Sequence, residues 1–203
     1  GTGLVGSEVL KLALAEPRIE TLVVPTRRPL AIAHPKLVAP VVDFDALPAA
    51  ADWWQADAVI CALGTTIRTA GTREAFRRVD HDYPLAVATL AHQHGTTTWV
   101  QTSAIGADPS SAFFYSRVKG DVEQALARVG FGSLTFVRPG LIGGEREQPR
   151  PGERWMAAAL NRLAPVLPRR FRVNPAPIIA RALLQAAIAG DAGLHIVTSD
   201  ALV

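Results

Sequence analysis

The sequence predicts an α/β fold, a doubly wound parallel sheet with a small helical C-terminal region. Three observations carry that prediction. Short apolar runs alternate with amphipathic stretches of helical length. The runs are apolar throughout rather than alternating with polar residues, as strands covered on both faces must be. The chain opens on Gly1-Thr2-Gly3-Leu4-Val5-Gly6, a glycine turn of the kind that joins a strand to a helix.

Leu4 to Ala15 reads as a helix with one apolar face, and Thr21 to Val24 as a strand. Val38 to Val42 is a second strand whose start Pro40 blurs. Ala56 to Leu63 is a buried strand. Glu74 to His94 has helical periodicity, and Pro84 within it must kink the helix or mark its true start. Thr97 to Thr102 is a strand, Ala112 to Val129 a helix stopped by Gly130 and Gly132, and Ser133 to Val137 a strand. Helices over about 153 to 163 and 176 to 189 and a last strand, Leu194 to Val197, complete the pattern. A glycine turn normally succeeds a strand, so a first strand is expected upstream of Gly1. The expectation is one Rossmann-type nucleotide-binding domain over 1–203, with a small substrate lobe over 141–203 and a loop or lid at Gly143 to Glu153.

Composition narrows the function classes. Hydrophobic residues make up 49% of the 203 and charged residues 19%, which excludes a disordered chain. The single cysteine, Cys61, excludes an internal disulfide and a multi-cysteine zinc site, and it reads as a buried small hydrophobe. His92 and His94 lie on different helical faces, so no zinc pair is expected. No apolar stretch is long enough for a membrane helix. The net charge of +3 comes with local pairs such as Arg27-Arg28, but no basic stretch interleaved with aromatics points to nucleic acid. A cytoplasmic protein is the resulting expectation. Trp53-Trp54 is expected to pack over a sheet edge or at a subunit contact. Trp155 is expected to cap the site or to pack the C-terminal helix.

Gly3 and Gly6 have the spacing of the second and third glycines of a dinucleotide turn, and the helix they open offers its positive end to phosphates. The strand ending at Val24 runs into Arg27 and Arg28, with no acid to accept from a ribose 2′-hydroxyl. An arginine fork suits a 2′-phosphate, so NADP(H) is expected over NAD. Asp43, ahead of Phe44, either accepts from an adenine amino group or caps the helix after it. Leu63, Gly64, Thr65 and Thr66 end a strand where open-sheet ligands lie.

Tyr115 and Lys119, four apart on a predicted helix, share a face, and Ser103 comes just after a strand, twelve residues before Tyr115. A phenol with a pKa near ~10 exchanges protons sluggishly at neutral pH. A neighbouring ammonium favours the phenolate, so Lys119 is expected to lower the Tyr115 pKa and to reach a cofactor ribose. Ser103 is expected to hydrogen-bond the substrate oxygen.

With these residues in order, the chain resembles the short-chain dehydrogenase/reductases. More narrowly it is similar to their atypical members of the Tat-interacting protein type. The blocks VVDFDAL, CALGTT, VDHDYPLA, GADPSSAFFYSRVKGDVE and VRPGLI…RPGE (137–153) carry the likeness along nearly the whole chain. The resemblance implies that Thr2, Gly3, Leu4 and Val5 line the pyrophosphate and that Arg27 and Arg28 hold the 2′-phosphate. Leu63 and Gly64 would run along the cofactor, Tyr115 and Lys119 would be the catalytic pair, and Ile142 and Arg150 would lie near the nicotinamide or lid. Leu4 and Val5 depart from the polar residues of the narrower group. The asparagine of a proton relay has no counterpart that the sequence identifies. An NADP(H)-dependent oxidoreductase on a small carbonyl or alcohol is expected, acting alone or as a homodimer. The alternative is a non-catalytic NADPH sensor acting through a protein partner. A nucleotide-sugar epimerase or dehydratase is a third reading, for which the C-terminal region is small.

Overall fold

A computed structural model of the chain describes residues 2–143 and 168–203. Helix α1 (Leu4–Ala15) is succeeded by strands β1 (Leu22–Val23), β2 (Leu37–Val38) and β3 (Ala58–Cys61). Short helices α2 (Ile67–Ala70) and α3 (Arg73–Arg77) lead through a π-helical turn (Arg78–Asp82) into α4 (Tyr83–Gln93). Then come β4 (Thr98–Thr102), α5 (Phe114–Ala127), β5 (Ser133–Arg138) and β6 (Ile142–Gly143). The second described stretch holds β7 (Asn174–Pro175), α6 (Ala176–Ala189) and β8 (Gly193–Thr198). The helix expected over 153 to 163, most of the lid segment, and Trp155 lie outside the described residues.

All strands pair in parallel, as the continuous apolar runs require. The main sheet runs β3-β4-β5-β8. Strands β1 and β2 form a separate pair, extended by a bridge between Thr26 and Val41. Among the described residues, no strand joins that pair to the free edge of β3.

Successive strand residues point to opposite faces and so build two cores. Val100 and Val137 pack with Val5 of α1 and Ile179 and Leu183 of α6. Their neighbours Trp99 and Phe136 pack on the other face with Ala88 of α4 and with Val122 and Leu126 of α5. The sheet is therefore covered on both sides, as expected. The edge strand β8 is the exception and leaves Leu194 56% and Ile196 45% exposed. Trp54 is buried in a 3-10 turn and donates its indole N–H to the Pro48 carbonyl at 2.8 Å, which satisfies its polar atom locally.

The long helical pattern ending near His94 is neither broken nor simply kinked at Pro84. Thr72 caps α3 by accepting the Ala75 N–H at 3.1 Å. Pro84 has no N–H for the carbonyl four residues back, that of Asp80, and its ring crowds that carbonyl. The ladder widens there: the Tyr83 N–H bonds the Arg78 carbonyl, five residues back. The extra residue in the turn sets Asp80 on the buried side, 1% exposed.

Helix α5 lies directly beneath the loop that leaves β4. At Gly120 a Cβ would stand 2.1 Å from the Pro109 nitrogen and 2.2 Å from the Asp108 carbonyl carbon. Only glycine permits that approach. Gly120→Ala is therefore expected to push helix and loop apart and to destabilise the fold by about 1–3 kcal/mol or more. The fall in the midpoint of chemical denaturation measures it.

Candidate active site

The stripe Tyr115, Lys119 and Glu123 runs along one face of α5 at intervals of four residues. Each charged member meets a counter-charge. The Lys119 ammonium is 2.7 Å from Asp80 Oδ1, and both residues are buried. Asp80 Oδ2 accepts the Thr65 backbone N–H at 2.8 Å. Gly64 lies against the pair: a Cβ there would be 3.4 Å from Asp80 Oδ1 and 4.0 Å from Lys119 Nζ. The turn after β3, the π-helical turn and α5 therefore meet at one point beyond the carboxyl ends of the strands, where open parallel sheets hold ligands.

Tyr115 is 38% exposed. Its ring packs on the buried Phe76 with centroids 5.6 Å apart. Burial pushes the phenol pKa up, the Lys119 charge pulls it down and the Asp80 charge pushes it up, with a net rise. That corrects the expectation of a lowered value. The physical reason is first the burial of the phenol, which outweighs the pull of Lys119, and then Asp80, a carboxylate 35 residues upstream that partly offsets the ammonium charge. For Lys119, burial acts to lower the pKa, but the charge and hydrogen bond of the Asp80 carboxylate, together with Tyr115 and Cys61, outweigh it and the net direction is up.

Ser103 donates its backbone N–H to the Val137 carbonyl at 2.7 Å and its hydroxyl to Glu123 Oε1 at 2.5 Å. Glu123 in turn accepts from both Arg138 Nε (3.0 Å) and Nη2 (2.5 Å). The two-pronged guanidinium contact is the stronger geometry for such a pair. The Ser103 proton, expected to face a substrate oxygen, is thus directed to a buried carboxylate. Asp80, Glu123 and Arg138 were assigned no role from the sequence. The faint signals are an acid inside a helical pattern that Pro84 interrupts, and a Glu four residues after the lysine.

Of the expected cofactor residues, Thr2 and Gly3 are exposed at the head of α1, and nothing lies within 4 Å of where a Gly3 Cβ would stand. The first intrahelical bond runs from Ser7 N–H to the Gly3 carbonyl. The N–H groups of Leu4, Val5 and Gly6 therefore lack partners within the helix. The Val5 side chain is core and Leu4 packs against that core, so the outward-facing groups there are main-chain ones. Thr26 Oγ1 bonds the Arg28 carbonyl at 2.7 Å and fixes the bend after β1. Arg27 and Arg28 are exposed there and, among the described residues, neither pairs with a carboxylate.

Asp43 accepts the Asp45 N–H at 2.9 Å and so caps a turn. Phe44 is buried against the Tyr83 ring at 5.5 Å. Leu63 is half-buried beside the α5 core, and Ile142 is half-buried against the α1/α6 core. Arg150 lies outside the described residues. Burial pushes the Cys61 thiol up to about 11, so it stays neutral, as a buried small hydrophobe should.

Comparison with known proteins adds to this geometry. No family model matches the chain. It is 36% identical over 172 residues to the mitochondrial protein fmp52 of Emericella nidulans, covering 80% of this chain and 74% of that one. It is 38% identical over 160 residues to protein HTATIP2 of Rattus norvegicus, covering 77% and 65%. Among solved structures, MoeE5 in complex with UDP-glucose and NAD superposes with a TM-score of 0.71 at 17% identity, over 96% of this chain and 72% of that one. WbmH of Bordetella bronchiseptica in complex with NAD+ gives 0.68 at 14% identity, over 97% and 73%. These likenesses bear on the fold. The fungal relatives are mitochondrial by name, which overturns the cytoplasmic expectation. A reduced cysteine and a globular composition suit any reducing aqueous compartment and cannot tell two of them apart. Among the described residues, no helix is long and apolar enough to cross a membrane.

The Lys119 site makes a pH prediction. Its folded pKa is raised, so its stabilising contribution is present below the ordinary lysine value near ~10.4 and is lost as pH rises through the folded value. Stability is expected to fall on that alkaline limb. Lys119→Met removes this lysine's contribution to the limb and costs about 3–5 kcal/mol at neutral pH, because Asp80 is left buried without its partner. Denaturant unfolding at a series of pH values tests both statements. With three lysines in the chain, the contribution of one is separable.

Proposed function

The chain belongs to the atypical short-chain dehydrogenase/reductase family of Fmp52 and the Tat-interacting protein, and on that premise we propose that it is an NADP(H)-dependent oxidoreductase acting on a small carbonyl or alcohol. The observation that carries this reading is the placement of Tyr115 and Lys119. Lys119 meets Asp80 beside the Gly64–Thr65 turn after β3, and Tyr115 precedes it by one turn on the same face of α5. Tyr115 is the proton-transferring group, partly open to solvent, and Lys119 fixes its electrostatic surroundings.

The residues present fit a nicotinamide dinucleotide. The partnerless N–H groups at the head of α1 suit a pyrophosphate, with Thr2, Gly3, Leu4, Val5 and Gly6 forming its bed. Arg27 and Arg28, exposed in the bend after β1 and unpaired with any carboxylate among the described residues, suit a 2′-phosphate and favour NADP(H) over NAD. Leu63, Gly64 and Thr65, in the turn that leaves β3 beside Lys119, are proposed to run along the cofactor. Those residues would hold the dinucleotide, and the chemistry it would supply there is hydride transfer to or from the substrate carbon. The fungal relatives make the mitochondrion the proposed compartment.

A second reading, a non-catalytic NADPH sensor, is favoured by the commitment of the Ser103 hydroxyl to Glu123, which removes one donor a reduction would use. Substrate turnover separates the two readings. Titration of the protein with NADPH and NADH, monitored by calorimetry, is expected to show preference for NADPH. Replacing Arg27 and Arg28 together by Ala is expected to weaken NADPH by about 10- to 100-fold and to leave NADH unchanged. Tyr115→Phe is expected to keep NADPH affinity and to lose about 10²- to 10⁴-fold in carbonyl turnover. Turnover retained in that variant overturns the role of Tyr115. Tight NADPH binding without turnover of any carbonyl favours the sensor.

A further inference from the structure

We propose that Ile105, Phe113 and Leu141 form an apolar rim beside Tyr115, and that the carbonyl or alcohol taken there carries an extended apolar body, an aliphatic chain or a ring system, rather than a sugar. Turnover rests on the oxidoreductase reading above, whereas the binding of the apolar body does not.

Phe113 breaks two local rules at once. It stands at the N-cap of α5, where a Ser, Thr, Asp or Asn side chain would accept from the first N–H groups of the helix and where Phe makes no such bond. It is also 77% exposed, more than any other large apolar side chain among the described residues. Looseness of the loop does not explain that exposure. Ser111 Oγ accepts the Phe113 N–H at 3.2 Å, and Arg117 donates Nη1 to the Ser111 carbonyl at 2.7 Å. Asp108 Oδ1 accepts both the N–H (2.8 Å) and the hydroxyl (2.7 Å) of Ser110. These polar side chains are engaged within the loop, and the aromatic ring is what it presents to solvent. Departures of this kind from local rules concentrate at functional surfaces.

Ile105 and Leu141 continue the surface. The Ile105 N–H bonds the Pro139 carbonyl at 2.8 Å, so the loop after β4 runs beside the loop after β5. The next residue, Gly106, lies against α5. A Cβ there would be 3.8 Å from Ser116 Oγ, and the Asp108 N–H bonds the Ser116 carbonyl at 3.1 Å. Ser116 directly follows Tyr115. Leu141 comes two residues after Pro139, and the buried Asn174 fixes its backbone. The Asn174 N–H bonds the Leu141 carbonyl at 2.8 Å, and Asn174 Oδ1 accepts the Gly140 N–H at 2.6 Å. Ile105 and Leu141 are nevertheless exposed. Three segments tied together by hydrogen bonds, at the carboxyl ends of β4 and β5 and the start of α5, therefore leave large apolar side chains in water. A sugar would lose hydration against such a rim without gaining hydrogen bonds, while each methylene of an aliphatic chain gains by leaving water.

A chain-length series tests this. Reduction of butanal, hexanal, octanal and decanal is followed as loss of NADPH absorbance, a hydride from NADPH and a proton converting each aldehyde to its primary alcohol. From butanal to decanal, kcat/KM is expected to rise on the order of 50-fold. That is about twofold for each added methylene, less than the full transfer value because the rim is open on one side. Phe113→Ser supplies a capping side chain, so its denaturation midpoint is expected to hold or rise. Its decanal-to-butanal ratio of kcat/KM is expected to fall about fivefold to tenfold. Leu141→Ser is expected to lower the same ratio from a segment that starts no helix. A flat series overturns the proposal. An unchanged ratio in both variants overturns it too, and loss of self-association by those variants in sedimentation then assigns the rim to a contact between two copies of the chain. If no aldehyde is turned over, calorimetric titration with hexanol and decanol decides alone. Decanol binding on the order of tenfold tighter than hexanol, and weakened by Phe113→Ser, upholds the rim while the oxidoreductase reading falls. Equal affinities for the two alcohols overturn the rim.

Discussion

An ammonium taken out of water needs a counter-charge, and Lys119 is 4% exposed. That constraint organises the molecule beyond the carboxyl ends of the strands. The counter-charge is Asp80, which belongs to a different helix, so the pair locks the π-helical turn to α5. The second oxygen of Asp80 takes the Thr65 N–H and anchors the turn that leaves β3. One buried ion pair thus fixes three segments from distant parts of the sequence. In doing so it sets the electrostatic surroundings of Tyr115. Such pairs seldom add much net stability, but losing one partner is costly, so their value lies in permitting a single arrangement.

Pro84 lies upstream of that arrangement in causal order. A regular helix through Tyr83 and Pro84 would leave the Asp80 carbonyl without a donor and clashing with the proline ring. The wider turn relieves the clash, and its extra residue changes the angle at which Asp80 leaves the helix. A local backbone defect, fixed by one residue, therefore decides where a buried charge points. Gly120 acts similarly through its absent side chain, since it lets the loop after β4 rest directly on α5 between Lys119 and Glu123.

The strands were legible because parallel pairing buries both faces and leaves continuous apolar runs. The Tyr115–Lys119 relation was legible because helical periodicity is local. The features that escaped were non-local. Asp80 meets Lys119 across 39 residues, and Glu123 meets Arg138 across a helix end and a loop, and neither spacing carries a periodic signal. The expected lowering of the Tyr115 pKa failed mainly because the lysine was visible in the sequence and the burial of the phenol was not; the Asp80 counter-charge, equally hidden, adds to the rise.

The two ends of the proposed cofactor path differ in charge because of this pairing. At the α5 end the buried charges of the described residues are matched, Lys119 by Asp80 and Glu123 by Arg138. At the far end Arg27 and Arg28 are exposed and unmatched by any carboxylate among the described residues. Exposed cations keep their hydration until a ligand arrives, so they cost little when empty and favour a phosphate when one comes. Affinity for an anionic cofactor can then be altered at Arg27 and Arg28 without disturbing the protonation balance at Tyr115. The separation is possible because the buried ammonium already has its carboxylate and does not depend on the ligand for one.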